Sequence, residues 1–159
     1  MNRWGSAVVG YAGLARPREL LGGLRLEDVY TPAECVRSAG AALQHWAGRL
    51  AGKRAVLRLL GLPSTAEHLG RVEVLPRPTP ACRATAACRD GHPPAVRLGG
   101  SLAALERPGE RIRLSISHTD QWALAVALLS AALPEDQHAD QHADQRVNQH
   151  EDQHDDEDR

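Results

Sequence analysis

The chain contains no phenylalanine, and aromatic residues make up only 3% of it. With 159 residues it is long enough to bury a real core, so that core must be built from Ala, Val and Leu. The three cysteines, Cys35, Cys82 and Cys88, form no C-x-x-C pair and are odd in number. That excludes a disulfide framework or a zinc ribbon and fits ordinary thiols in a reducing compartment. The longest apolar run, Trp122 to Leu133, is about 12 residues, well short of the ~20 needed to span a bilayer. The apolar stretch near the N-terminus ends at Arg16-Pro17, too soon for a secretory signal. These absences point to a soluble, cytoplasmic protein with no membrane contact. Residues 1–134 also lack a Gly-x-Ser-x-Gly elbow, a phosphate-binding glycine loop and paired carboxylates.

The formal net charge of −1 averages two unlike parts. From Glu135 to Arg159 there are ten acidic residues and two arginines, a net of −8. The remainder, 1–134, holds 17 basic and 10 acidic residues, a net of +7. A basic domain of this size favours an anionic partner. The segment 135–159, with its Asp-Gln-His-Ala repeat, has Val147 as its one bulky apolar residue and is expected to be disordered. Its histidine pairs, His138 with His142 and His150 with His154, stand four apart. No apolar shell would hold a metal there, so weak binding at most is expected. The acidic tail could instead fold back on the basic domain.

Within 1–134 the first strand is expected in Ser6–Leu14. In "YTPAE", Thr31 is a helix N-cap, Pro32 takes the first helical position and Glu34 completes a capping box. The helix so begun runs to Gly61, with Gly40, Gly48 and Gly52 as points where it is open to being kinked or split. "RVEVL" (71–75) and "AVRLG" (95–99) read as strands around a Pro-rich loop, Pro76 to Pro94, and Ser101 caps a brief helix to Glu106. "RIRLSISH" (111–118) alternates strictly and joins "WALAVALL" through a short polar turn, a hairpin.

One helical residue does not fit. Taking Leu50 as the centre of an apolar stripe at ~100° per residue, Leu43, Trp46 and Leu57 lie within roughly 40° of it, and so does Arg54. Arg49, Lys53, Arg54 and Arg58 form a basic cluster on this helix, but nothing aromatic is interleaved with it, and nucleic-acid binding is not expected. Ser117-His118 at the end of a strand point to opposite faces, which argues against a Ser-His hydrolase. His118 is suited to donating to a phosphate or to sitting satisfied in the core.

Taken in order, "VVGYAGL", "YTPAE", "RLAGKRAVLRLLG", "RVEVL", "DGHPPAVRLGG" and "LSISHTDQWALAVALL" resemble the holo-acyl-carrier-protein synthase family of 4'-phosphopantetheinyl transferases. The family reads "F-T-x-x-E", "R-F-A-A-K-E-A-x-x-K-A-L-G" and "S-L-S-H-T" at the corresponding places. The resemblance runs from about Val8 to Leu129. It implies an α+β domain over 1–134, a long helix packed on a small, mainly antiparallel sheet.

The resemblance further implies coenzyme A as substrate, an acidic acyl carrier protein as partner, Mg²⁺ on the diphosphate, and a homotrimer with sites between subunits. Arg49, Lys53, Arg54, Ser117 and His118 then stand as coenzyme A-binding residues, with Arg58 at the family's catalytic Lys position. The two metal-binding carboxylates of the family fall on Ala12 and Arg54. A guanidinium offers Mg²⁺ no acceptor but can grip diphosphate oxygens directly. The expected function is coenzyme A and carrier-protein binding with Mg²⁺-dependent transfer lost or reduced. The alternatives are an active transferase with a rearranged site, for which Glu19, Glu34 and Asp120 are spare acids, and a non-catalytic scaffolding subunit.

Overall fold

The computed structural model describes residues 3–77 and 92–132. Five strands, β1 (Trp4–Gly10), β2 (Val72–Pro76), β3 (Pro94–Leu98), β4 (Glu110–His118) and β5 (Trp122–Ala131), form one sheet. Its order is β1-β5-β4-β3-β2, and every pairing is antiparallel. The helices are α1 (Leu26–Val29), α2 (Pro32–Ser38), α3 (Leu43–Leu60) and α4 (Ala66–Gly70), with 3-10 turns at Pro17–Leu21 and Gly100–Leu105. The α+β architecture expected from the sequence is the one found. The expected disordered tail and most of the Pro-rich loop lie outside the described residues.

The β4–β5 hairpin forms in the register that its alternation requires, from Glu110 opposite Ala131 to His118 opposite Ala123. The first strand is shorter than expected and ends at Gly10, so Ala12 sits in the turn that follows. Pro76 and Pro94, read as loop ends, are paired strand residues. Proline is tolerated there because β2 is an edge strand and Pro94 begins β3.

The helix expected from Thr31 to Gly61, with its glycines as places to kink or split, is split into two. Thr31 accepts from the Glu34 N–H and Glu34 accepts from the Thr31 N–H, the capping box anticipated. Six residues beyond Glu34 the chain turns at Gly40, whose φ of +73° is a left-handed conformation that side chains resist. Gly48 and Gly52, by contrast, lie inside an unbroken α3. They are contact points: a Cβ on Gly52 would lie 3.0 Å from Leu114 Cδ2 and one on Gly48 would lie 3.1 Å from Ile116 Cγ2.

The sheet accommodates α3 with small residues as well. Ala123, Ala125 and Ala127 of β5 are fully buried under it, and Gly5 of β1 meets the helix backbone itself. A Cβ on Gly5 would fall 2.3 Å from the Ala55 carbonyl oxygen and 2.5 Å from the Leu59 nitrogen. Gly5→Ala is therefore expected to lower stability by about 1–3 kcal/mol in a denaturant titration, because backbone cannot swing aside. Gly48→Ala should be close to neutral, since its Cβ meets only a side-chain methyl and alanine gains about 1 kcal/mol of helix propensity.

Candidate functional site

From Trp46 to Leu60 every residue of α3 is buried except Arg49, Arg54 and Arg58. This corrects the amphipathic reading: the helix is enclosed on nearly all sides, and a helix of that kind has no single apolar stripe. Arg54 is thus one of three arginines through which this stretch keeps solvent contact. They do not act together. At ~100° per residue Arg54 and Arg58 are ~40° apart, while Arg49 lies ~140° from Arg54, across the helix. Arg58 donates to the Ser6 carbonyl at 2.6 Å. Arg54 is half-buried and makes no hydrogen bond or ion pair recorded among the described residues.

Lys53 turns inward. Its ammonium is fully buried, 2.7 Å from Glu34 Oε2, and donates to the carbonyls of Val29 at 2.7 Å, Leu69 at 3.0 Å and Val72 at 2.5 Å. One charge thereby ties α3 to α1, α2, α4 and β2. Tyr30 adds its ring face 5.5 Å from the nitrogen. Burial pushes the lysine below its usual range, and the Glu34 charge and hydrogen bond oppose that. The structure removes Lys53 from the expected coenzyme A-binding residues. It has no exposed surface, and its three donors are met by protein.

On the Arg49 side a cavity of about 770 Å³ opens between α2, the first half of α3, the ends of β2 and β4, and the residues leading into β3. Val74, Leu75 and Ile116 supply apolar wall, and the polar lining is Arg37, Gln44, His45, Arg49, His92 and His118. The His45 and His118 rings meet edge to face with centroids 6.4 Å apart. Arg49 is braced by donation from Nε to the Val74 carbonyl at 3.2 Å and from Nη1 to Ser38 Oγ. Burial lowers its pKa while the Glu34 charge works the other way, and a guanidinium under such a shift stays charged. Among the described residues no carboxylate lines this cavity. An apolar-walled cleft that, among the described residues, carries five basic side chains and no acid is suited to a polyanion with an organic body.

Of the residues expected at the site, Arg49 and His118 come together here. Ser117 does not, because β4 alternation puts it on the outer sheet face opposite Leu124. Arg54, Arg58 and Ala12 are absent from the lining. Arg37, His45 and His92 are members that the sequence did not reveal. Each is a single residue on a separate segment, with no spacing to mark it.

Compared with known proteins, the chain matches the holo-[acyl-carrier-protein] synthase of Desulforudis audaxviator at 32% identity over 128 residues, 78% of this chain and 88% of that one. The chain belongs to the holo-[acyl-carrier-protein] synthase family. Among solved structures, the ACPS–CoA complex of Chronobacterium ammoniagenes aligns with a TM-score of 0.62 at 25% identity, over 82% of this chain and 98% of that one. The apo form of that protein aligns with a TM-score of 0.57 at 28% identity, over 82% and 96%. The Helicobacter pylori holo-[acyl-carrier-protein] synthase, at 21% identity and a TM-score of 0.56 over 80% and 99%, shares the fold. No protein-family model matches the chain.

The residues present do not fit the family's Mg²⁺. The two positions that the resemblance assigns to metal-binding carboxylates hold a methyl group, at Ala12, and a cation, at Arg54. Of the spare acids, Glu34 and Glu19 are committed, while Asp120 lies between Thr119 and Gln121, whose carbonyls accept from Tyr11 beside Ala12. Glu34 is held by Lys53 and by the N–H groups of Thr31 and Val74. Glu19 accepts from the N–H groups of Ala15 at 2.7 Å and Arg16 at 2.6 Å, which hold its carboxyl below the usual range. Asp120 sits exposed in the β4–β5 turn. Among the described residues no three His, Cys, Asp or Glu side chains are grouped to hold a metal ion.

Proposed function

We propose that this holo-[acyl-carrier-protein] synthase relative binds coenzyme A and an acidic acyl carrier protein, with Mg²⁺-dependent phosphopantetheine transfer lost or much reduced. The cleft of Arg37, Arg49, His45, His92 and His118, which no carboxylate lines among the described residues, carries the reading. It offers charge for the phosphates of a nucleotide and apolar wall for its body. Arg54, half-buried and with no recorded partner among the described residues, is proposed to take the diphosphate in place of the metal, with Arg58 one turn on. The net +7 of residues 1–134 suits an acidic carrier. No helix among the described residues is long and apolar enough to cross a membrane.

Two observations favour the homotrimer that the resemblance implies. Arg49 and Arg54 face opposite sides of α3, so one protomer supplies two half-sites that another copy would complete. The outer face of β1 and β5 exposes Trp4, Val8, Trp122, Leu124 and Leu128, which neighbour one another in the strand register. An apolar sheet face of this kind is normally covered by a partner.

The deciding experiment is incubation with apo-carrier protein, coenzyme A and Mg²⁺, followed by intact-protein mass measurement. The expected result is coenzyme A binding with little or no carrier modification. Rapid, complete modification would replace this reading with an active transferase working through a rearranged site.

A further inference from the structure

We infer that Ser38 is a positioning residue of the cleft, which holds the Arg49 guanidinium as a preformed fork for a phosphate group. This rests on the phosphate-binding half of the coenzyme A reading and names the residue that sets how tightly the phosphate is held. Arg49 lines the cavity, but it is not left to swing there. Its Nε donates to the Val74 carbonyl at 3.2 Å and its Nη1 donates to Ser38 Oγ. Acceptors on two nitrogens of a planar guanidinium fix its rotation as well as its place. An arginine carries five N–H groups, and those two bonds leave three of them for a ligand.

Ser38 is hard to explain by packing alone. It is fully buried as the last residue of α2, and among the described residues its hydroxyl meets only Arg49. Burying a hydroxyl carries a desolvation cost, and alanine is the better helix former, so the oxygen earns its place through the guanidinium. Both acceptors are in turn held by one carboxylate. Glu34 accepts from the Thr31 N–H at 2.8 Å, capping α2 one turn ahead of Ser38. Its Oε1 accepts at 2.8 Å from the N–H of Val74, the residue whose carbonyl takes Arg49 Nε. Lys53 closes the frame at 2.7 Å from Glu34 Oε2. Arg49 is thereby set against α2 and β2, two elements that the buried pair locks together. A guanidinium fixed in this way binds an anion without first giving up rotamer freedom.

The test is calorimetric titration of the full chain with inorganic pyrophosphate, and separately with coenzyme A, over the cycle of Ser38→Ala, Arg49→Lys and the double variant. Ser38→Ala is expected to weaken both ligands about fivefold, the cost of ordering a freed arginine. Its denaturant midpoint should hardly move. Arg49→Lys keeps the charge but loses the planar fork, and about tenfold weaker binding is expected. Adding Ser38→Ala to Arg49→Lys should then weaken binding no further. A serine that merely shaped the wall would cost the same factor in both backgrounds, and that result overturns the inference. So does a Ser38→Ala variant that binds both ligands as tightly as the unaltered chain, or an unaltered chain that binds neither. Coenzyme A binding that ignores Ser38→Ala leaves the coenzyme A reading standing while the inference falls. Pyrophosphate binding that depends on Ser38 only through Arg49, in a chain that does not bind coenzyme A, upholds the inference and sinks that reading.

Discussion

Replacing Lys53 with methionine is expected to lower the folding free energy by about 3–5 kcal/mol, a large share of the ~5–15 kcal/mol that holds a domain of this size together. Methionine matches the aliphatic stem closely, so the loss is almost wholly electrostatic. It leaves Glu34 as a buried carboxylate without its counter-charge, and strips the carbonyls of Val29, Leu69 and Val72 of their donor. Glu34→Gln should cost less, because its carboxamide oxygen can still accept from the Val74 and Thr31 N–H groups. The double variant should be less unstable than the sum of the two by more than ~1 kcal/mol, the signature of a direct pair. Denaturant titration of the four proteins measures each quantity. A Lys53→Met cost below ~1 kcal/mol would mean that the ammonium is not internal.

That pair also marks where sequence reading reached its limit. Local signals were legible. The Thr31–Glu34 capping box, the stop at Gly61 and the alternation of Arg111–His118 each depend on residues a few positions apart, and each is found. Long-range commitments were not. Glu34 caps its helix as expected but also reaches residues 53 and 74, and nothing in "YTPAE" announces that. Lys53 looked like one of four helical cations turned toward a ligand, because wheel geometry assumes one wet face. Glycine and alanine along α3 let sheet and helices close in around it, and the assumption fails. The same enclosure sends Arg49 and Arg54 to opposite sides. The cleft histidines were invisible for a related reason: residues 45, 92 and 118 meet only after β3 has paired with β2 and β4. The order of the motifs was enough for the family and its fold, whereas the composition of the site needed the packing.

The second large effect should come from rebuilding the carboxylates. The Ala12→Asp/Arg54→Glu variant is expected to modify apo-carrier protein at least about 10²-fold faster than the unaltered chain, and only with Mg²⁺ present. A metal that neutralises a departing diphosphate is worth several kcal/mol, and each ~1.4 kcal/mol is tenfold in rate. The two changes should cost little stability. Ala12 lies exposed in the turn after β1, and Arg54 gives up no hydrogen bond recorded among the described residues. Glutamate and arginine have similar helix propensities. Arg54→Ala separates charge from chemistry: if the guanidinium grips the diphosphate, coenzyme A binding should weaken without any transfer being gained. A gain that persists with the metal chelated would show that the new carboxylates act as bases and not as ligands. A double variant that stays inactive while binding coenzyme A would place the deficit elsewhere, and the position of Arg58, where the family has lysine, is the next to test. Arginine there keeps the charge but cannot give up a proton near neutral pH. Arg58→Lys added to the double variant should then restore the rate.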